Sequence, residues 1–275
     1  DSCPDRRASD SAKWHRYGDR DVLPMWIADM DFVSCPAIVR ALRERAEHGV
    51  YGYATAPAGL VPAFLAHCQR LYGWQPEPDW VMLVPGLVPA LHLVCLGLTE
   101  PGDQIMVCTP VYPPFLSAPA TTGRQVLPVP LGRNGGSYCL DWAAMEAAVT
   151  ARTRMLLFCS PHNPVGRAFT VAELSRLVDF CCRHRLALCS DEIDCDLVLD
   201  GSRHVPMLGV PGAEPARTVV LMSPAKTFNI AGTNLGMVVA PDPQVRHRLL
   251  AAQQGLVPHL NTFGYTAALA ALRDG

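Results

Sequence analysis

The stretch MLLFCSPHNPVGRAFTVAELSRLVDFCCRHRLALCSDEI, residues 155–193, holds a complete strand–helix–strand unit. Met155–Cys159 is an unbroken apolar run of strand length, and Ser160–Arg167 interrupts it with Pro, Asn and Gly, the residues of turns. Val171–His184 carries its apolar residues at helical spacing. Leu186–Ser190 is a second apolar run, followed by Asp191 and Glu192. A strand that is apolar throughout is buried on both faces, as in a parallel sheet covered by helices on either side. The same texture extends outward from this unit. Further strands are predicted at Val81–Val84, Gln104–Cys108, Gln125–Leu131, Val219–Ser223 and Met237–Ala240, alternating with helices at Leu87–Leu98, Asp141–Ala151, Pro243–Gly255 and Asn261–Arg273. The expected fold class is therefore α/β, a three-layer α/β/α sandwich around a mostly parallel seven-stranded sheet. Upstream, helices are expected from Pro36 to just before Gly49 and over Leu60–Tyr72, while residues 1–35 read as an irregular arm.

A chain of 275 residues with 49% hydrophobic and 17% charged residues suits a globular protein with a large core. The net charge of −2 offers no electrostatic footing for nucleic acid or an anionic membrane, and no apolar run reaches spanning length. The eleven cysteines lie mostly inside apolar segments, without a C-x-x-C pair. They read as small core residues in a reducing cytoplasm, and the dispersed histidines give no metal site. The first residues, DSCPDRRASDS, lack an initiating Met and a signal core, so the chain is expected to be trimmed or excised from a longer one.

In open α/β sheets, ligands bind beyond the carboxyl ends of the strands. Those ends carry a particular set of residues. Gly86, Leu87 and Val88 form a tight turn into a helix, where free N–H groups suit a phosphate. Tyr112 stands between prolines, as a stacking surface or a packed aromatic. Asn163 supplies an amide or simple turn chemistry. Asp191 is either the partner of a ligand cation or the N-cap of a short helix. Ser223 and Lys226 follow in SPAKTFNIAG. Lysine occurs only at Lys13 and Lys226 in a chain that otherwise uses Arg, which cannot lose its proton; a desolvated Lys can become a neutral nucleophile. Lys226 is therefore the candidate reactive amine, and Lys13 reads as an ordinary surface lysine. Together the strand ends provide an anion cradle, an aromatic face, an amide, a carboxylate and an amine, which is what an aromatic aldehyde phosphate needs.

The segments RRASDSAKW, LPMWIADMDF, HGVYGYAT, VPGLVPAL, PGDQIMVCTPVYPPF, SPHNPVGRAFT, LCSDEIDCDLVL and LMSPAKTFNIAG resemble, in order, those of fold-type-I pyridoxal-phosphate enzymes. Within that superfamily the chain is similar to the cystathionine β-lyase-like, or cysteine-conjugate lyase, group. The resemblance implies pyridoxal 5'-phosphate as cofactor, with Lys226 as its Schiff-base lysine and Asp191 paired to the pyridine nitrogen. Asn163 would bond the ring oxygen, and Tyr112 and Ile193 would flank the ring. Gly86, Leu87, Val88 and Ser223 would hold the phosphate. Tyr53, or Tyr51, would reach the phosphate of a neighbouring subunit in a homodimer. Relatives usually carry Tyr or His where this chain has Asp194, and Asn234 stands where aspartate aminotransferases have Arg. Residues 1–35 are expected to belong to a small domain and residues 36–275 to be the cofactor-binding large domain, with most of the C-terminal small domain missing beyond residue 275. The implied reaction is β-elimination on cystathionine or another S-substituted L-cysteine, giving thiol, pyruvate and ammonia. The alternatives are an aminotransferase, a non-catalytic regulatory or scaffold domain, and a lyase domain of a larger synthase acting on a carrier-bound adduct.

Overall fold

The computed structural model describes residues 2–18, 20–213 and 217–275. The arm contains one short helix, α1 (Ala12–His15), where a wholly irregular segment was expected; the hydroxyl of Ser11 caps it. Helices α2 (Pro36–Glu47) and α3 (Leu60–Tyr72) follow. Then come β1 (Val81–Val84), α4 (Leu87–Leu98), β2 (Gln104–Thr109), α5 (Pro114–Thr121) and β3 (Gln125–Pro130). A small hairpin, β4 (Gly132–Asn134) with β5 (Ser137–Cys139), leads to α6 (Trp142–Ala148). The chain continues through β6 (Thr153–Cys159), α7 (Val171–His184), β7 (Ala187–Asp191), β8 (Thr218–Met222), β9 (Gly236–Val239), α8 (Pro243–Gln253) and α9 (Thr262–Asp274). Helix α5 and the hairpin are additions to the elements expected from the sequence. Pro113 and Pro114 sit at the start of α5, where a missing N–H costs nothing.

The seven strands lie in the order β1-β9-β8-β7-β6-β2-β3. Only β9 runs against its neighbours, so β1, β2, β6, β7 and β8 all end at one edge. Their side chains divide between two cores with the period of two that a pleated strand imposes. Leu156 and Phe158 of β6, Leu188 of β7 and Val220 of β8 face a core with α3, α7 and part of α9. Met155 and Leu157, Cys189 and Leu221 face the other, with α4, α5 and α8. Helices thus cover both faces, and the three-layer α/β/α expectation holds. Cys68, Cys95, Cys108, Cys159, Cys181, Cys189 and Cys195 are buried free thiols, so most cysteines are core residues.

Helix α4 packs against α8 closely enough that a Cβ on Gly97 would lie 3.0 Å from the Leu249 side chain and 3.3 Å from the Arg248 carbonyl oxygen. At the head of α7, Thr170 and Glu173 form a reciprocal capping box, and Arg167 ion-pairs with Glu173 at 2.8 Å. The loop carrying Asn163 is thereby anchored to the helix that follows it. Phe158 has no exposed surface, and its ring centroid lies 4.9 Å from that of Phe169. Phe158→Ala is expected to cost about 3–5 kcal/mol, read as a lowered denaturant midpoint with an unchanged slope.

Candidate active site

The site is assembled at the common carboxyl edge of the sheet. Gly86 precedes α4 at φ 106°, a conformation open to glycine, and among the described residues no side chain caps the helix. The Leu87 and Val88 N–H groups are in the first turn, where no intrahelical acceptor exists, and are free for an anion. From the end of β2, the Tyr112 backbone N–H donates to the Asn163 carbonyl at 3.0 Å, joining two of the predicted residues directly. Tyr112 remains partly exposed. Burial and the nearby Asp191 carboxylate both push its phenol above the ordinary value. The Ser160 N–H donates to the Asp191 carbonyl at 2.9 Å, which holds the Asn163 loop against the end of β7.

Asp191 and Glu192 show how two adjacent acids are handled differently. Glu192 is 1% exposed and is fully engaged by the protein. It accepts from Ser190 Oγ, from His204 Nε2 and from the Met207 N–H, each at 2.8 Å. Asp191, 5% exposed, accepts only from the Ile193 N–H at 3.1 Å among the described residues. Burial raises its pKa from 3.8 to about 7, helped by Asp194 and Glu192 and opposed by Lys226. No helix follows it, so the N-cap reading fails: β7 includes Asp191 and continues into turns. A buried acid with no cation in contact is what a protonated ring nitrogen would complete. With the uncapped start of α4 and the amine at Lys226, the residues fit an aromatic aldehyde phosphate.

Lys226 lies in the turn after β8. Its Nζ donates to the Ala28 carbonyl at 2.7 Å. The hydroxyl of Ser223 donates to the Leu235 carbonyl at 2.7 Å and accepts from the Ala225 N–H at 3.1 Å, so it shapes this turn. Ile193 is half-buried against the core on the α4 side. Asp194 is half-buried, and burial raises its pKa while the charge of Lys226 pulls it down. Tyr53 is 98% exposed; Tyr51 instead donates its hydroxyl to Ala46 of the same chain at 2.6 Å. Asn234 closes a short turn at φ 48°.

Two features escaped the sequence reading. The first is Asp196, which follows Asp191 and Asp194 closely enough to look like part of a solvated acidic run. Its side chain is 7% exposed and accepts from four donors: the Tyr72 hydroxyl, His67 Nε2 at 3.0 Å, Thr227 Oγ1 at 2.7 Å and, more weakly, Cys195 Sγ at 3.8 Å. Arg70 can only donate, so the His67 Nδ1 facing it at 3.2 Å accepts, and Nε2 carries the hydrogen aimed at Asp196. Burial alone would raise the Asp196 pKa; the donors, His67 foremost, outweigh it and hold it below the ordinary value. Asp196 thus ties α3 to the residue beside Lys226. Thr227→Val, which removes one donor from this carboxylate, is expected to lower stability by about 1.5–3 kcal/mol in chemical denaturation. The second is Lys13. It is not a surface lysine: it is 8% exposed and ion-pairs with Asp31 at 2.7 Å. Its rarity was as visible as that of Lys226, but the partner sits 18 residues away in an arm without periodicity.

The family description "Aminotransferase class I and II" matches residues 20–275. The chain belongs to this family. Among its family relatives is cystathionine β-lyase PatB of Bacillus subtilis, 36% identical over all of this chain and 73% of PatB. The solved structure of OvoB is 39% identical, with a TM-score of 0.95 over 98% of this chain and 72% of that one. Cystalysin of Treponema denticola, whose structure contains pyridoxal 5'-phosphate, is 29% identical with a TM-score of 0.93, over 99% of this chain and 71% of cystalysin. Two further relatives, the cystathionine β-lyase of Corynebacterium glutamicum and a protein of Mycobacterium leprae, are spanned over 59% and 65% of their length. Among the described residues no helix is long and apolar enough to cross a membrane, and no cluster of His, Cys, Asp and Glu could hold a metal ion.

Proposed function

We propose that this chain is a pyridoxal-5'-phosphate-dependent carbon–sulfur lyase acting by β-elimination on cystathionine or another S-substituted L-cysteine. The observation that carries the reading is that one sheet edge holds both a buried Asp191, in contact with no cation among the described residues, and Lys226 in the turn after β8. When bound, the cofactor withdraws electrons from Cα of the amino acid. The chain's own residues do the rest. Asp191 holds a proton on the ring nitrogen by offering it a charge partner. Leu87 and Val88 N–H groups, with Gly86 before them, bind the phosphate, and Ser223 sets the turn beside it. Tyr112 and Ile193 flank the ring, and Asn163 orients its oxygen. Lys226 Nζ takes the Cα proton. The Cβ–S bond breaks, the sulfur leaves as thiolate, and water completes the conversion of the three-carbon remainder to pyruvate and ammonia.

Tyr53, fully exposed and without a hydroxyl partner among the described residues, suits a phosphate contact in a neighbouring subunit of a homodimer better than Tyr51 does. The test is incubation with cystathionine. A lyase releases thiol and pyruvate with no second keto acid; an aminotransferase leaves the cofactor in its amino form and releases no thiol. A protein that remains colourless with added pyridoxal phosphate would favour the scaffold reading. Tyr112→Phe is expected to keep turnover, since the ring face survives the change.

A further inference from the structure

Given Lys226 as the reactive amine, the group that holds it is the Ala28 carbonyl, 2.7 Å away and 198 positions earlier in the chain. Two sets of contacts fix the segment that directly follows it, residues 29–32. On the arm side, Lys13 Nζ reaches both Asp31 Oδ2 at 2.7 Å and the Asp29 carbonyl at 2.9 Å. Arg6 bridges Asp29 and Asp31 at 2.7 and 2.8 Å, and the Trp14 ring N–H donates to Asp31 at 2.9 Å. The acceptors of Lys13 are a side chain and a backbone oxygen, which three donors on one atom can satisfy together. Arg6 takes the two-carboxylate bridge that a planar fork suits. On the lysine side, Asn229 accepts from the Met30 N–H at 3.0 Å and donates to the Met30 and Phe32 carbonyls at 3.0 and 2.9 Å. Ser34 Oγ donates to the Asn229 carbonyl at 3.1 Å. Asn229 stands at φ 55°, which Asn tolerates better than most residues.

We propose that Lys13 and Asn229 are positioning residues for Lys226: they pin segment 29–32 through separate bonds, Lys13 at Asp29 and Asp31 and Asn229 at Met30 and Phe32, so that the adjoining Ala28 carbonyl aims the amine. Neither touches the reacting atoms. They act through backbone that would otherwise be loose, since the arm holds few apolar anchors and its Leu23, Met25 and Phe32 are exposed.

The experiment uses the full chain with and without pyridoxal phosphate. Lys13→Met keeps the stem and removes the ammonium; Asn229→Gly keeps the positive φ without strain and removes the side chain. Both are expected to quicken amide exchange over residues 26–34 about tenfold or more. Both are also expected to lower kcat for thiol release about tenfold, with a smaller change in KM, and to slow growth of the yellow band on adding the cofactor. Lys13→Arg, which keeps a cation against Asp31, is expected to recover part of each effect. Faster exchange with kcat and band growth unchanged would overturn the role, as would unchanged exchange in both variants. If Lys13→Met does not fold, Asn229→Gly decides the matter through its own bonds to Met30 and Phe32. Failure of borohydride to fix the cofactor onto wild-type Lys226 would sink the functional reading, and this role with it. The exchange data from cofactor-free protein show separately whether the clamp exists.

Discussion

Lys226→Ala is expected to lower kcat for thiol release from cystathionine by about a thousandfold or more, because it deletes both the covalent attachment point and the base at Cα. Folding should survive. Lys226 is only half-buried, and its one hydrogen bond among the described residues is to a backbone carbonyl that water can serve. The check is steady-state kinetics beside a thermal melt. Borohydride should fix the cofactor onto the wild-type chain and not onto the variant. Wild-type turnover by Lys226→Ala would remove the amine from the mechanism altogether.

Asp191→Asn separates function from stability. The carboxyl titrates near 3.8 when unfolded and near 7 in the cofactor-free fold, so the folded state binds the extra proton between those values. The stabilisation from this site is complete below about pH 4, falls as pH rises, and is gone above about pH 7. The corresponding cost of the charged form at high pH is on the order of 4 kcal/mol. Asn carries no charge to bury, so the cofactor-free variant should be the more stable protein above pH 7, and the two should converge below pH 4. Activity moves the other way: without the carboxylate the ring nitrogen loses its charge partner, and kcat should fall about a hundredfold or more. Denaturant midpoints of cofactor-free protein across that pH range, set beside kcat, test both halves. A wild-type stability that rises from pH 4 to 7 while the variant's does not would contradict the burial argument. Such a site is costly to the empty fold and is relieved when its ligand binds.

The α/β class, the seven strands within a residue or two and the candidates at the strand ends were all legible in the linear chain. Continuous apolar runs encode two-sided burial, and a polar residue just past such a run has few places to go. Scarcity also singled out Lys226. Asp191 was already preferred over Glu192 from the sequence, but only the tertiary structure shows why the two acids differ: the fold brings His204, Ser190 and the Met207 N–H to the second and, among the described residues, leaves the first with the Ile193 N–H alone. It alone turned Lys13 from a surface residue into a buried ion pair, and Asp196 from one acid in a run into the tie between α3 and the lysine turn. These assignments depend on partners brought in from distant segments. Local periodicity reports which face of an element is buried, but not which polar group from elsewhere in the chain will meet it there.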